Sequence, residues 1–285
     1  MSDAPSVRAW RRLRAHRGAT VALGFLSVVV VACALGPTVC GWFGLDGTTL
    51  DLDLLASSPS WAHPLGTDSL GRDLLVRVLE GGQVALLVGL AATAVALVIG
   101  VTWGGVAGYA GGAVDAVLMR TVDVLYGFPT VVFVVVVRAV FELRGTSSLV
   151  LVIGGISWLT MARIVRGQVL ALRGREFVEA ARALGAGPGR VLWRHVLPNT
   201  VGPVVVYATT LVPQAMLVET FLSFIGLGVA APATSWGTLV TEGSTQVAVS
   251  PWVLAGPGLA MGMTIAALNF LGDGLRDALD PRGQR

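Results

Sequence analysis

The amino-acid sequence predicts an all-α integral membrane protein with six transmembrane helices and a basic loop between the fourth and fifth. Three observations predict it. Of the 285 residues, 54% are hydrophobic and only 13% are charged, whereas a soluble domain carries roughly 25% charged residues. The apolar residues gather into six runs, each near the roughly 20 residues that a helix needs to cross a bilayer. The charges lie between those runs with alternating sign, basic at the N-terminus, acidic in the first loop and basic again at residues 173–199. Excess arginine on one side marks that side as cytoplasmic.

Residues 1–17 carry Arg8, Arg11, Arg12, Arg14 and Arg17 against a single Asp3. They form a cytoplasmic segment ahead of a first span at 18–40. The loop 41–83 holds Asp46, Asp51, Asp53, Asp68, Asp73 and Glu80 against Arg72 and Arg77, as suits an extracytoplasmic location. Within it, Thr67 or Asp68 is expected to cap a short amphipathic helix with Leu70, Leu74, Leu75 and Val78 on one face.

The membrane core is expected at 84–271, with a second span at 84–106 that ends in GGVAGYAGG. Gly104, Gly108 and Gly112 are spaced by four, which suits either close helix approach in lipid or a turn. A third span at 114–140 has Pro129 at its middle. Arg120 and Asp123 sit one turn apart and are expected to pair. Glu142, four residues beyond Arg138, is the expected partner for that guanidinium. A fourth span follows at 149–164. The fifth, at 200–222, contains Pro203, Pro213 and Glu219. The external loop 226–252 leads to a sixth span at 253–271 and a cytoplasmic tail at 272–285. Ionisable groups inside spans are costly and mark pathways or interhelix bonds. Glu219, Arg138, Arg120 and Asp123 are the candidates. Trp61, Trp236 and Trp252 are expected to anchor helix ends at the membrane surface.

Several functions are excluded or disfavoured. All 20 basic residues are arginine, and a phosphate-binding GxxxxGK[ST] loop requires lysine. There is no HExxH, no GxSxG and no histidine in an expected span, so an intramembrane enzyme finds no catalytic set. His63 reads as a loop-packing residue, and no metal site is assigned. Cys33 and Cys40, seven residues apart on one helix, lie about 10 Å apart along its axis. A disulfide needs Cα atoms within about 7 Å.

The charged island at 173–199 interrupts the apolar pattern. Phe177, Ala180, Ala181 and Leu184 fall on one face at i, i+3, i+4 and i+7. Gly185 can end that helix with a positive φ. Pro188 can start a second helix, with Val191, Leu192 and His195 on its apolar face. Leu197-Pro198 is expected to stop it, which leaves two short helices at right angles.

The run Glu179-Ala180-Ala181, then Gly185, then Leu197-Pro198 resembles the EAA loop of ABC importer permeases, with His195 in place of the pattern's isoleucine. HPLGTDSLGRD (63–73), GYAGGAVDAVLMRTVDVLYGFP (108–129), LSFIGLGV (222–229), SWG (235–237) and GDGLRDALDPR (272–282) resemble the C-type permease of dipeptide, oligopeptide and nickel importers. Arg138 departs from a region that is usually apolar there.

The resemblance implies a type I ABC importer permease fold in a bacterial inner membrane, with both termini cytoplasmic. It implies a homologous second permease, two ATPase subunits that hold ATP and Mg, and an extracytoplasmic substrate-binding protein. Membrane lipid is the other expected partner, and no nucleic acid or cofactor is expected on this chain. Glu179, Ala180, Ala181, Gly185, Leu197 and Pro198 would form the contact with one ATPase. Peptides are the implied cargo, with nickel or another small solute as the alternative. A stand-alone secondary transporter is disfavoured, because the EAA pattern has no second copy.

Overall fold

A computed structural model describes residues 5–142 and 145–279, with side chains from residue 10 onward. A basic helix α1 (Pro5–Ala15) leads into α2 (Arg17–Trp42). The turn is fixed by His16, whose Nδ1 accepts a hydrogen bond from the Ala19 amide at 3.1 Å. Cys33 and Cys40 are both buried free thiols on α2.

The second membrane helix starts ten residues earlier than the sequence suggests. α3 runs from Leu74 to Ala110, 37 residues in all. Its cap is Asp73, whose carboxylate accepts from the Val76 amide at 3.0 Å, and not Thr67 or Asp68. Gly71 has a φ of +77°, a left-handed turn that no helix begun at Asp68 could pass through. Asp68 instead accepts from the Leu70 and Arg72 amides and from the Arg72 and Arg77 guanidinium groups. Glu242 holds the other side of Arg77 at 2.7 Å. This ion-pair cluster clamps the loop ahead of α3 between α3 and the later helix α10.

The two readings of the glycine series separate at Gly108. Gly104 and Gly108 let α3 and α6 (Thr146–Leu172) touch backbone to backbone. A Cβ on Gly104 would stand 2.2 Å from the Ala162 carbonyl oxygen, and one on Gly108 would stand 2.8 Å from that of Arg166. Gly100 belongs to the same seam, against Met161. Gly111 and Gly112 make the turn, with φ of +66° and +54°.

The expected third span is broken. α4 (Gly112–Tyr126) and α5 (Thr130–Val140) meet at 88°. Pro129 has no amide hydrogen to continue the ladder, and it holds the residue before it away from helical geometry.

After α6 comes a helical hairpin. α7 spans Glu176–Ala183 and α8 spans Pro188–Val191. The expected stop at Leu197-Pro198 does not occur. The chain widens into a π turn at Leu192–Val196, tightens into a 3₁₀ turn at Leu197–Thr200 and continues as α9 (Val201–Phe224). The irregular turns absorb the missing donor and the ring of Pro198. Pro188–Phe224 is therefore one helical rod of 37 residues.

α10 (Trp236–Gln246) lies in the expected external loop, and α11 (Pro251–Leu279) extends eight residues past the expected membrane boundary. Trp236 is no interfacial anchor. It is 1% exposed and donates its indole N–H to the Val78 carbonyl at 2.8 Å. Trp61 is fully exposed, and Trp252 donates to the Thr67 carbonyl at 3.4 Å. Among the described residues, five helices are long and apolar enough to cross a membrane, or six with the bent α4–α5 pair counted as one span.

One apolar cluster joins the long helices to the hairpin. Met161, Ala162, Val165 and Val169 of α6 pack with Val178 of α7, Val191 of α8 and Leu197. The hairpin is thus an outgrowth of the membrane core.

Candidate coupling loop and membrane cavity

The sequence asks α7 to bury one face and present another. Val178 and Ala181 point inward and are buried, while Phe177, Glu179, Ala180 and Leu184 face out. Leu184 is 89% exposed and Phe177 40% exposed. Leu184 and Phe177 thus stand in the open beside the Glu179 carboxylate.

Gly185 closes the helix with a φ of +83°. Its amide donates to the Arg182 carbonyl at 2.9 Å, and the Ala186 amide donates to that of Ala181 at 3.0 Å. This double bond pattern is the Schellman cap, which needs a left-handed residue at that position. Pro188 then occupies the first turn of α8 behind Gly187, where its missing amide hydrogen costs nothing. Leu197 is buried against Gly105 of α3, and Pro198 is exposed. Glu179, Ala180 and Gly185 therefore share an outer surface, while Ala181 and Leu197 hold that surface to the membrane helices.

Two ion pairs fasten α6 to α4 above the hairpin. Arg166 grips Asp115 in a bidentate contact at 2.6 and 2.7 Å. Arg163 pairs with Asp123 at 2.7 Å and stacks over the Tyr126 ring at 4.2 Å. The expected Arg120–Asp123 pair is not formed. Asp123 faces across to α6, whereas Arg120 is exposed on α4.

The expected Arg138–Glu142 pair is not formed either. α5 ends at Val140 and Glu142 has a φ of +48°, so the helical register that would bring the two together is lost. Arg138 is 7% exposed, and its Nε and Nη1 have no hydrogen-bond partner among the described residues.

Glu219 is 1% exposed near the outer end of α9. One carboxyl oxygen accepts from Ser223 at 2.9 Å and from Ser235 at 2.6 Å. Ser235 caps α10 in a box with Thr238. The other oxygen lies over Gly237, where a Cβ would come within 2.6 Å of it. Glu219 thereby ties the outer end of α9 to the start of α10.

A cavity of about 420 Å³ opens at the α4–α5 bend, between α6 and α9. Its polar lining is Tyr126, Thr130, Ser157, Thr160, Tyr207 and Gln214, set among Phe128 and leucine, isoleucine and valine side chains. Of these only Gln214 carries a signal legible beforehand, as a carboxamide inside an apolar run. Tyr126, Thr160 and Tyr207 look ordinary in sequence and are brought together by the broken span.

The comparisons with known proteins agree with this layout. Residues 100–285 match the family described as binding-protein-dependent transport system inner membrane component. The chain belongs to that family. Residues 5–48 match the N-terminal transmembrane domain of oligopeptide transport permease C. The permease is 45% identical over 274 residues to the oligopeptide transport system permease protein OppC of Escherichia coli K12, covering 95% of this chain and 89% of that protein. It is 40% identical to its Haemophilus influenzae counterpart, covering 95% and 87%. For the Bacillus subtilis counterpart the identity is 38%, covering 95% and 88%. Among solved structures, an inward-facing MetNI methionine ABC transporter aligns with a TM-score of 0.58 at 18% identity, covering 73% of this permease and 96% of that chain. The fold is thus that of a type I ABC importer permease.

Proposed function

We propose that this permease forms half of the translocation pathway of an ATP-driven oligopeptide importer and takes its motion from an ATPase through α7. The observation that carries the reading is the surface of Phe177, Glu179, Ala180 and Leu184, ended by the Gly185 cap. It is apolar enough to bury, carries one carboxylate for a basic or polar partner group, and is packed on the α6 core. The names of the relatives, at up to 45% identity over nearly the whole chain, support peptide as the cargo.

In this reading a homologous second permease completes the channel. Two ATPase subunits bind ATP and Mg below, and an extracytoplasmic binding protein delivers the peptide. Both termini lie on the cytoplasmic side of the bacterial inner membrane. Inverting a 1:99 population of inward and outward states takes about 5.5 kcal/mol of differential contact, which a capped helix packed on the membrane core can transmit.

The test is uptake of a labelled oligopeptide by proteoliposomes that hold the assembled transporter and its binding protein. Glu179→Lys and Gly185→Asp are expected to abolish ATP-dependent uptake while the permease still inserts. Normal uptake in either variant would count against coupling through α7. Uptake of nickel in place of peptide would overturn the assignment of cargo.

A further inference from the structure

We infer that the cavity at the α4–α5 bend is a site for the peptide main chain, read by Tyr126, Thr160, Tyr207 and Gln214. The inference rests on the peptide-import reading and adds where in this chain the cargo is held and by what chemistry.

Gln214 is the starting observation. It lies 13 residues into the 24-residue α9, inside the 37-residue apolar rod Pro188–Phe224. It is exposed, and it stands beside Pro213 inside the helix. A carboxamide facing hydrocarbon with nothing to bond costs several kcal/mol. Gln214 lines a concave cavity, so it is aimed at a polar occupant and not at lipid.

Its neighbours specify that occupant. The Tyr126 and Thr160 hydroxyls bond to each other, and the Tyr207 phenol lies against Thr160. Hydroxyls and carboxamides both donate and accept, so this set can meet an amide N–H or a carbonyl in either register. The lining itself holds no charged side chain. Arg163, stacked on the Tyr126 ring, is paired with Asp123.

A cation or a highly charged solute finds no counter-charge here. A chain of neutral amides with apolar side groups finds hydrogen bonds and apolar walls. The volume of about 420 Å³ lies within the roughly 300–1,000 Å³ of sites for small ligands. Recognition through the main chain would let one path accept many sequences.

The experiment uses the assembled transporter with its binding protein in proteoliposomes. Uptake is compared for labelled pentapeptides built on alanine, serine, leucine or phenylalanine. Gln214→Leu and Tyr207→Phe are expected to slow all four by a similar factor, about tenfold for one lost hydrogen bond. Gln214→Asn is expected to recover part of the rate. A photoreactive residue at Phe128 is expected to cross-link to the labelled peptide during turnover.

Unchanged rates in a wild-type background that transports peptide would overturn this site alone. So would losses that track the peptide's side chains. A cross-link to the second permease with none to peptide, or dissociation of the two permeases in Gln214→Leu, would show a subunit contact in its place. Absence of peptide uptake by the unmodified transporter would overturn the import reading and this site with it.

Discussion

Replacing Leu184 by alanine tests the coupling surface without disturbing the fold. Leu184 is 89% exposed on α7, with its cap made by the Gly185 and Ala186 amides rather than by its own side chain. Truncation therefore removes almost no packing from the isolated permease. Its thermal midpoint is expected to stay within the range set by about 0.5 kcal/mol, as for other surface substitutions. If the side chain enters a cleft on the ATPase, three carbons are lost from a buried contact. At about 0.8 kcal/mol per buried methylene, discounted for incomplete burial, that is about 1–2.5 kcal/mol. The ATPase should then bind about 5- to 70-fold more weakly. The assay is titration of the ATPase subunits onto permease held in nanodiscs, beside a melt of the permease alone. Phe177→Ala is the contrast. Phe177 is 40% exposed, so its loss should lower both the affinity and the melting temperature. Wild-type affinity in Leu184→Ala would refute docking by this face, and a lowered melting temperature would refute the claim that the side chain is free.

Two further predictions probe the membrane core. Gly104→Ala would put a Cβ 2.2 Å from the Ala162 carbonyl oxygen, and the backbones of α3 and α6 must part to relieve it. A loss of about 1–3 kcal/mol is expected in detergent unfolding. Gly167→Ala, where a Cβ meets nothing within 4 Å, should unfold like wild type or slightly later, and equal effects at the two sites would contradict the close-approach seam. Arg138→Met removes a guanidinium with two buried, unbonded nitrogens. The isolated permease should gain about 1–3 kcal/mol, read as a higher melting temperature, and a lower one would mean that Arg138 holds a contact the subunit needs.

Spans and charge signs were legible because they depend on composition over 20 residues, which tertiary contacts do not alter. The Gly185 cap was legible for a local reason, since a left-handed terminus admits few residues other than glycine. The misreadings at Thr67 and at the ion pairs share one cause. Each assumed that the nearest residue in sequence supplies the partner. Asp73 outcompeted Thr67 and Asp68 for the cap because Asp68 was already committed to Arg72 and Arg77. Asp123 reached across to Arg163 because the α3–α6 seam brings α4 beside α6. The Pro198 stop failed because π and 3₁₀ turns carried the helix past it. The cavity residues Tyr126, Thr160 and Tyr207 belong to three different helices, so no window of sequence contains them.

The same geometry explains how docking at α7 can reach the membrane interior. α6 leads into the hairpin through Arg173, whose guanidinium donates to the Gly108 carbonyl of α3 at 3.2 Å. The rod from Pro188 to Phe224 leaves the hairpin on its other side and carries Tyr207 and Gln214 into the cavity. α6 carries Ser157 and Thr160 into the same cavity and holds α4 through Asp115 and Asp123. A push on α7 therefore acts on two cavity walls directly and on the third through two ion pairs. The α4–α5 bend at 88° is the part of that third wall with no helical ladder to resist bending. Under the proposed coupling, force applied to the hairpin would change the cavity where the backbone is least constrained, which makes α7 and the proposed peptide site two ends of one lever.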